Sequence, residues 1–234
     1  MSTIDFEIFI QEIEWFANPG DEIDVTDSTI LFSDEFVSTF PTLHKLIAQA
    51  SVSNVTITRK KNVAHYKLFT WTNDEDIKSG WLCKIDAAGK EVELLPQHQL
   101  LVSTIGGIEH NYTQVGSEEP MLTDNQNFIF TASKSRKGIG DWSELYEQAC
   151  EDEEAKQIDT NNLVCFAAEA NGNELFYDLK TGQVFLFAPD HAFDNVEVLE
   201  GQPEYTFYTI NEVEGFVEYV ELLAEQWMGM LEEK

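Results

Sequence analysis

A chain of 234 residues with 43 acids against 14 bases carries a formal charge of −29. A field of that sign repels nucleic acid and anionic lipid and attracts cationic proteins, so no nucleic-acid and no membrane partner is expected. A hydrophobic content of 43% and an aromatic content of 12% exclude a disordered acidic tail, and the length suits one large domain or two small ones.

Ser2 or Thr3 is expected to cap a first helix, with Phe6, Phe9, Ile10, Ile13 and Phe16 on one stripe at helical spacing. Asn18-Pro19-Gly20 stops it. Residues 20–33 read as an acidic loop holding a short apolar piece, Thr29 to Phe32. Ser33 then caps a second helix whose core face is Phe36, Val37, Phe40, Leu43, Leu46 and Ile47. Pro41 inside that run either kinks the helix or starts a new one. From Val52 the period changes to two. Val55–Ile57 and Val63–Trp71 read as strands joined by a basic turn, Arg59 to Asn62. Trp81–Ile85 and Val92–Leu94 read as a further strand pair around Ala88-Gly89. Pro96 opens a short helix to about Ser103, and Gly106-Gly107 breaks the chain after it.

Residues 111–127 are polar and weakly patterned, and Asn127–Thr131 reads as a strand. Lys134 to Gly140 is a basic glycine loop. Asp141 is expected to cap the next helix, with Glu144 at the capping-box position, ahead of an acidic run from Glu151 to Glu154. Leu163–Ala168, Glu174–Asp178 and Val184–Phe187 form a meander, turned at Asn171-Gly172 and at Lys180 to Gly182. Asn211 is expected to cap the last helix, with Glu214 as its mate and Phe216, Val217, Val220, Leu223, Ala224 and Trp227 on its buried face. Hairpins with flanking helices, and no alternating strand–helix units, give an α+β class with a mainly antiparallel sheet.

The chemistry-bearing groups are sparse. Cys83, Cys150 and Cys165 are odd in number and form no CxxC pair, so buried free thiols in a reducing compartment are expected. The start of the chain lacks the basic segment of a signal peptide and no apolar run is long enough to span a bilayer, so a cytoplasmic protein is expected. The glycine loop ahead of Asp141 has the look of an anion cradle, but it lacks the Walker A spacing and reads better as a basic turn. Asp190, His191 and Asp194 are the one close group of a histidine with carboxylates, the basis of an enzyme alternative using Asp190 and His191. A post-strand turn explains them more simply. No metal centre and no cofactor is expected.

The order of motifs from residue 95 onward carries a resemblance. A Leu95-Pro96 helix start precedes the Gly106-Gly107 break and the strand Leu163–Ala168. The Asn171-Gly172 turn, Tyr177-Asp178 followed by Thr181-Gly182, the strand Val184–Phe187 and a C-terminal helix from Asn211 complete it. In this order they resemble the SUKH superfamily, mostly bacterial immunity proteins of polymorphic toxin systems, with yeast cell-wall regulators among its members. The resemblance implies a small sheet with helices packed against it over residues 95–234, and residues 1–94 as an added helix–strand section that either extends the same sheet within one domain or stands apart from it. A long insertion between Gly107 and Phe128 departs from the compact family form. The family shares no catalytic residues, so the resemblance implies binding without catalysis.

The expectation that follows is an acidic protein that neutralises a cationic protein partner by occluding it, the implied partner being a toxin nuclease domain. A regulatory interaction module without a toxin partner is the competing expectation. The candidate contact residues are Asp190, Asp194, Glu197, Glu200 and Glu204, with Tyr205 and Phe207 as aromatic anchors.

Overall fold

The computed structural model describes residues 2–60, 62–87, 89, 92–112, 126–170, 172–189 and 195–232, with the backbone alone at 2, 3 and 126. Its elements run α1 (Ser2–Glu12), β1 (Glu22–Ser28), α2 (Asp34–Thr39), α3 (Pro41–Ala48), β2 (Ser51–Arg59), β3 (Asn62–Thr72) and β4 (Lys78–Lys84). There follow α4 (Pro96–Thr104), β5 (Gly107–Tyr112), β6 (Gln126–Ile129), β7 (Arg136–Lys137) and α5 (Ser143–Asp152). The chain ends with β8 (Leu163–Glu169), β9 (Glu174–Asp178), β10 (Val184–Phe187), β11 (Val196–Val198), β12 (Phe207–Ile210) and α6 (Phe216–Glu232).

All strands join one antiparallel sheet, in the order β1-β2-β3-β4-β5-β6-β8-β9-β10-β12-β11, with β7 added beside β8. The α+β architecture with a mainly antiparallel sheet is therefore the observed one. Successive residues of a strand point to opposite faces, and both faces are covered. On one side Phe69, Trp71, Trp81, Val164, Phe166, Val184 and Leu186 meet α2, α3, α4 and α6 in the largest core cluster. On the other, Tyr66, Leu68 and Leu82 meet Phe6 and Phe9 of α1. Farther along that face Leu163, Cys165, Phe185 and Phe187 meet Tyr146 and Cys150 of α5. This double burial explains why β8 and β10 are apolar at every position up to Ala168 and Phe187, without alternation. The two sheet edges carry acids, Glu22, Asp24 and Asp27 on β1 and Glu197 on β11, which discourage pairing with another chain.

The boundary expected between residues 94 and 95 coincides with no break in the sheet. β4 pairs with β5, and the largest core cluster joins Phe36 and Trp71 to Phe216 and Trp227. A second tie is polar. Pro41 occupies the first turn of α3, as one of its two expected roles, and Ser33 caps α2 by accepting from the Phe36 amide at 3.1 Å. The free amides of α3 are met from the far end of the chain: Thr42 and Leu43 donate to the Glu221 carboxylate of α6 at 2.7 and 3.1 Å. A carboxylate there satisfies orphan amides and faces the positive end of the helix. Glu221→Ala is expected to cost about 2 kcal/mol, read as a lower urea midpoint at unchanged slope. A midpoint equal to that of the wild type would contradict the capping role.

Four expectations are corrected. Residues 22–28 form β1 and are not loop: Ile23 and Val25 alternate inward against Ile57 and Val55, and the acids between them belong to the outer face. Val92–Leu94 is not a strand, and β4 takes β5 as its neighbour. Asp141 lies inside a 3-10 turn, Gly140–Trp142, and gives α5 no side-chain cap. Asn211 does not cap α6, which begins at Phe216 after Val213 bridges back to Ile210.

Candidate partner-binding face

Residues 195–210, which hold Glu197, Glu200 and Glu204 of the expected acidic stretch, fold as the hairpin β11–β12 at the end of the sheet. Its connection is tightly held. Gly201 takes a φ of 75°, and Gln202 returns its amide to Leu199 at 2.9 Å. Thr206 donates its hydroxyl to the Pro203 carbonyl at 2.6 Å. Tyr205 has a φ of 61°, the left-handed region that costs an L residue roughly 1 kcal/mol or more, and its amide is fixed by the Tyr208 hydroxyl at 2.8 Å. The backbone thus holds an aromatic side chain outward, 49% exposed.

A cross-link brings this connection against α5. The Tyr146 hydroxyl donates to Gln202 Oε1 at 2.5 Å and accepts from the Ile158 amide at 2.8 Å. Gln202 Nε2 donates to the Lys156 carbonyl at 3.0 Å. Beneath the link, Tyr146 packs edge-on against Phe207 at 5.1 Å. Exposed Glu144, Glu147 and Glu151 of α5 therefore share one region with exposed Glu197, Glu200 and Glu204. Leu145 of α5 and Tyr205 of the connection are 41% and 49% exposed. Lys156 is the one base between Lys137 and Lys180.

The expected contact residues separate on this geometry. Glu197, Glu200, Glu204 and Tyr205 are exposed. Phe207 is not an anchor: it has no exposed surface and packs edge-on among Phe176, Phe185 and Phe187. Asp190, His191 and Asp194 lie outside the described residues. The acids at 218–221 divide similarly, Glu218 being exposed and Glu221 engaged by α3.

Several of the described bases are ion-paired. Arg59 pairs with Asp21 at 2.9 Å, Lys78 with Asp5 at 2.5 Å and Lys134 with Glu109 at 3.0 Å. In the glycine loop, Arg136 pairs with Glu174 and donates to the Cys165 sulfur at 3.0 Å, so the loop is a pinned turn. The three cysteines are free and buried. Burial pushes the Cys165 thiol up to about 12 despite the Arg136 guanidinium. Among the described residues no group of three or more His, Cys, Asp or Glu is placed to hold a metal ion, and no helix is long and apolar enough to cross a membrane.

Three of the motifs from residue 95 onward, the Leu95-Pro96 helix start, the Thr181-Gly182 turn and the start of the last helix at Phe216, line an open groove of about 980 Å³. Their spacing has local causes. Asp178 accepts from the Lys180 and Thr181 amides at 2.6 and 3.0 Å, Thr181 accepts from Gln183 at 3.2 Å, and Gly182 supplies a φ of 77°. Tyr177 points inward, where its hydroxyl meets the Leu95 amide at 3.4 Å and His98 Nδ1 at 3.1 Å. No family model, curated protein or solved structure matches the chain.

Proposed function

We propose that this chain is an acidic binding protein that neutralises a cationic protein by covering it, and that the partner is a toxin domain of the nuclease type against which the chain gives immunity. One observation carries the reading. The Tyr146–Gln202 link joins α5, which carries exposed Glu144, Glu147 and Glu151, to the connection that carries exposed Glu197, Glu200, Glu204 and Tyr205. A nuclease needs a basic groove for phosphates, and an acidic face with apolar anchors complements such a groove in charge and in contact. Charge raises the rate of encounter, whereas a buried aromatic sets how long the complex lasts.

The test uses the partner captured from the native organism and purified. Glu197→Lys with Glu200→Lys is expected to slow association about tenfold or more at low salt and to change dissociation little. Tyr205→Ala is expected to speed dissociation and to leave association nearly unchanged. An association rate that the double reversal leaves unchanged at low salt would contradict electrostatic docking.

A further inference from the structure

A second concavity lies on the α1 side of the sheet, far along it from the acidic face. It has a volume of about 410 Å³ and lies between the end of the α1 segment and strands β2 to β5. The pairing of β4 with β5 makes it. Leu82 sits opposite His110 and Cys83 opposite Ile108, so Glu109 is the extra residue of a bulge. Adjacent residues of a regular strand point to opposite faces; the bulge turns both Glu109 and His110 into the cavity.

The lining is unusual for so acidic a chain. Arg59, Lys84 and Lys134 converge there against the single carboxylate of Glu109. The acids behind them are already engaged. Asp21 binds the Asn18 amide at 3.0 Å as well as Arg59, and Asp86 holds the Ser133 amide at 3.2 Å and its hydroxyl. Lys84 Nζ stands 3.6 Å from Asp86 and 3.8 Å from Glu109, too far to donate a hydrogen bond to either. One wall is aromatic. Trp15 is 70% exposed, and Phe16 carries the Arg59 guanidinium 5.5 Å from its ring centre.

We infer that this cavity is a binding site for a small anion bearing an aromatic ring, its carboxylate or phosphate held by Lys84 and its ring laid against Trp15. The volume suits one such molecule. The ammonium without a donor-distance acid supplies the charge contact, and the exposed indole supplies a flat apolar face. The remaining polar groups fit this role. Burial foremost keeps His110 below its ordinary value, so at neutral pH it offers a neutral ring. Burial opposes the charge on Glu109, but Lys134 and Lys84 outweigh it and hold that carboxyl ionised, which orients both lysines. The site is independent of the partner face and stands whether or not a toxin is the partner.

The test is a ligand-observed NMR titration of the intact chain with phenyl phosphate and with benzoate. Benzyl alcohol and inorganic phosphate are the arms that lack the charge or the ring. At least one aromatic anion is expected to bind saturably, about tenfold or more tighter than either half-ligand, and the one that binds identifies the anionic group. Lys84→Met is expected to weaken binding about tenfold, and Lys84→Arg to retain it. Trp15→Ala, at a position too exposed to affect folding, is expected to weaken it about fivefold. The absence of saturable binding would overturn the inference. So would inorganic phosphate binding as tightly as phenyl phosphate, or binding that neither Lys84→Met nor Trp15→Ala weakens.

Discussion

Trp227→Ala destabilises the protein by about 3–5 kcal/mol, the range for removing a large aromatic from a core that cannot collapse around the gap. Trp227 of α6 is 1% exposed. Its ring lies 5.8 Å from that of Trp71 on β3 and 5.2 Å from that of Trp81 on β4, and those two lie 5.0 Å apart. The last helix thus closes over strands formed by the first third of the chain. The Trp71 indole donates to the Leu46 carbonyl at 2.9 Å, which brings α3 into the same cluster. Loss of Trp227 is therefore felt at both ends of the sequence, and unfolding remains a single transition at a lower urea midpoint. Trp15→Ala is the matched control, because its side chain is largely exposed, and it changes stability by less than about 0.5 kcal/mol. A variant at Trp227 that unfolds in two steps, one of them at the wild-type midpoint, would show that residues 1–94 form an independent unit.

The second large effect is one of pH. His98 has no exposed surface. Its Nε2 donates to the Phe130 carbonyl at 2.9 Å, so Nδ1 accepts from the Tyr177 hydroxyl at 3.1 Å, and the ring packs beside Phe216 at 4.9 Å. Burial holds it at about 4, whereas the unfolded chain titrates at about 6.5. A histidine depressed in the folded state binds protons preferentially in the unfolded state as pH falls. The native protein therefore loses stability from about pH 6.5 downward, by about 2 kcal/mol near pH 5 and about 3 kcal/mol near pH 4. His98→Gln removes this dependence while costing some stability at neutral pH. The informative quantity is the difference between the two proteins from pH 7.5 to 5, since the carboxylates titrate alike in both. A constant difference across that range would contradict a buried neutral imidazole.

Much of this framework was legible in the residues. Ser33 before a helical stripe, Pro41 at a helix start, the Lys180 to Gly182 turn and the apolar runs of β8 and β10 each carry a local signal with a local cause. The errors arose where a local signal served a distant partner or none. Ile23 and Val25 alternate, but Glu22, Asp24 and Asp27 around them belong to a solvent-facing edge and mask the period. Asp141 and Asn211 carry cap-forming side chains, yet a 3-10 turn and the Val213 bridge displace the helix starts. Phe207 reads as an exposed anchor because it follows Glu204 and Tyr205; the alternation of β12 turns it inward. Nothing in the sequence around Glu221 points to α3, and only the packing of α6 on α3 reveals the helix end it caps. The acids of the two runs are visible in the sequence, but the Tyr146–Gln202 link and the bulge at Glu109 join residues with no sequence signature in common, so neither the tie between α5 and residues 197–205 nor the second cavity is visible before folding.

The central claim is that a cationic protein sits on the face formed by α5 and the β11–β12 connection. Amide hydrogen exchange of the chain alone and in complex with its purified partner tests this directly. The account predicts slowed exchange across residues 143–156 and 196–206, with the groove at Pro96, Thr181 and Gly215 unchanged. Protection centred on that groove, with residues 143–156 and 196–206 exchanging as in the free chain, would contradict it.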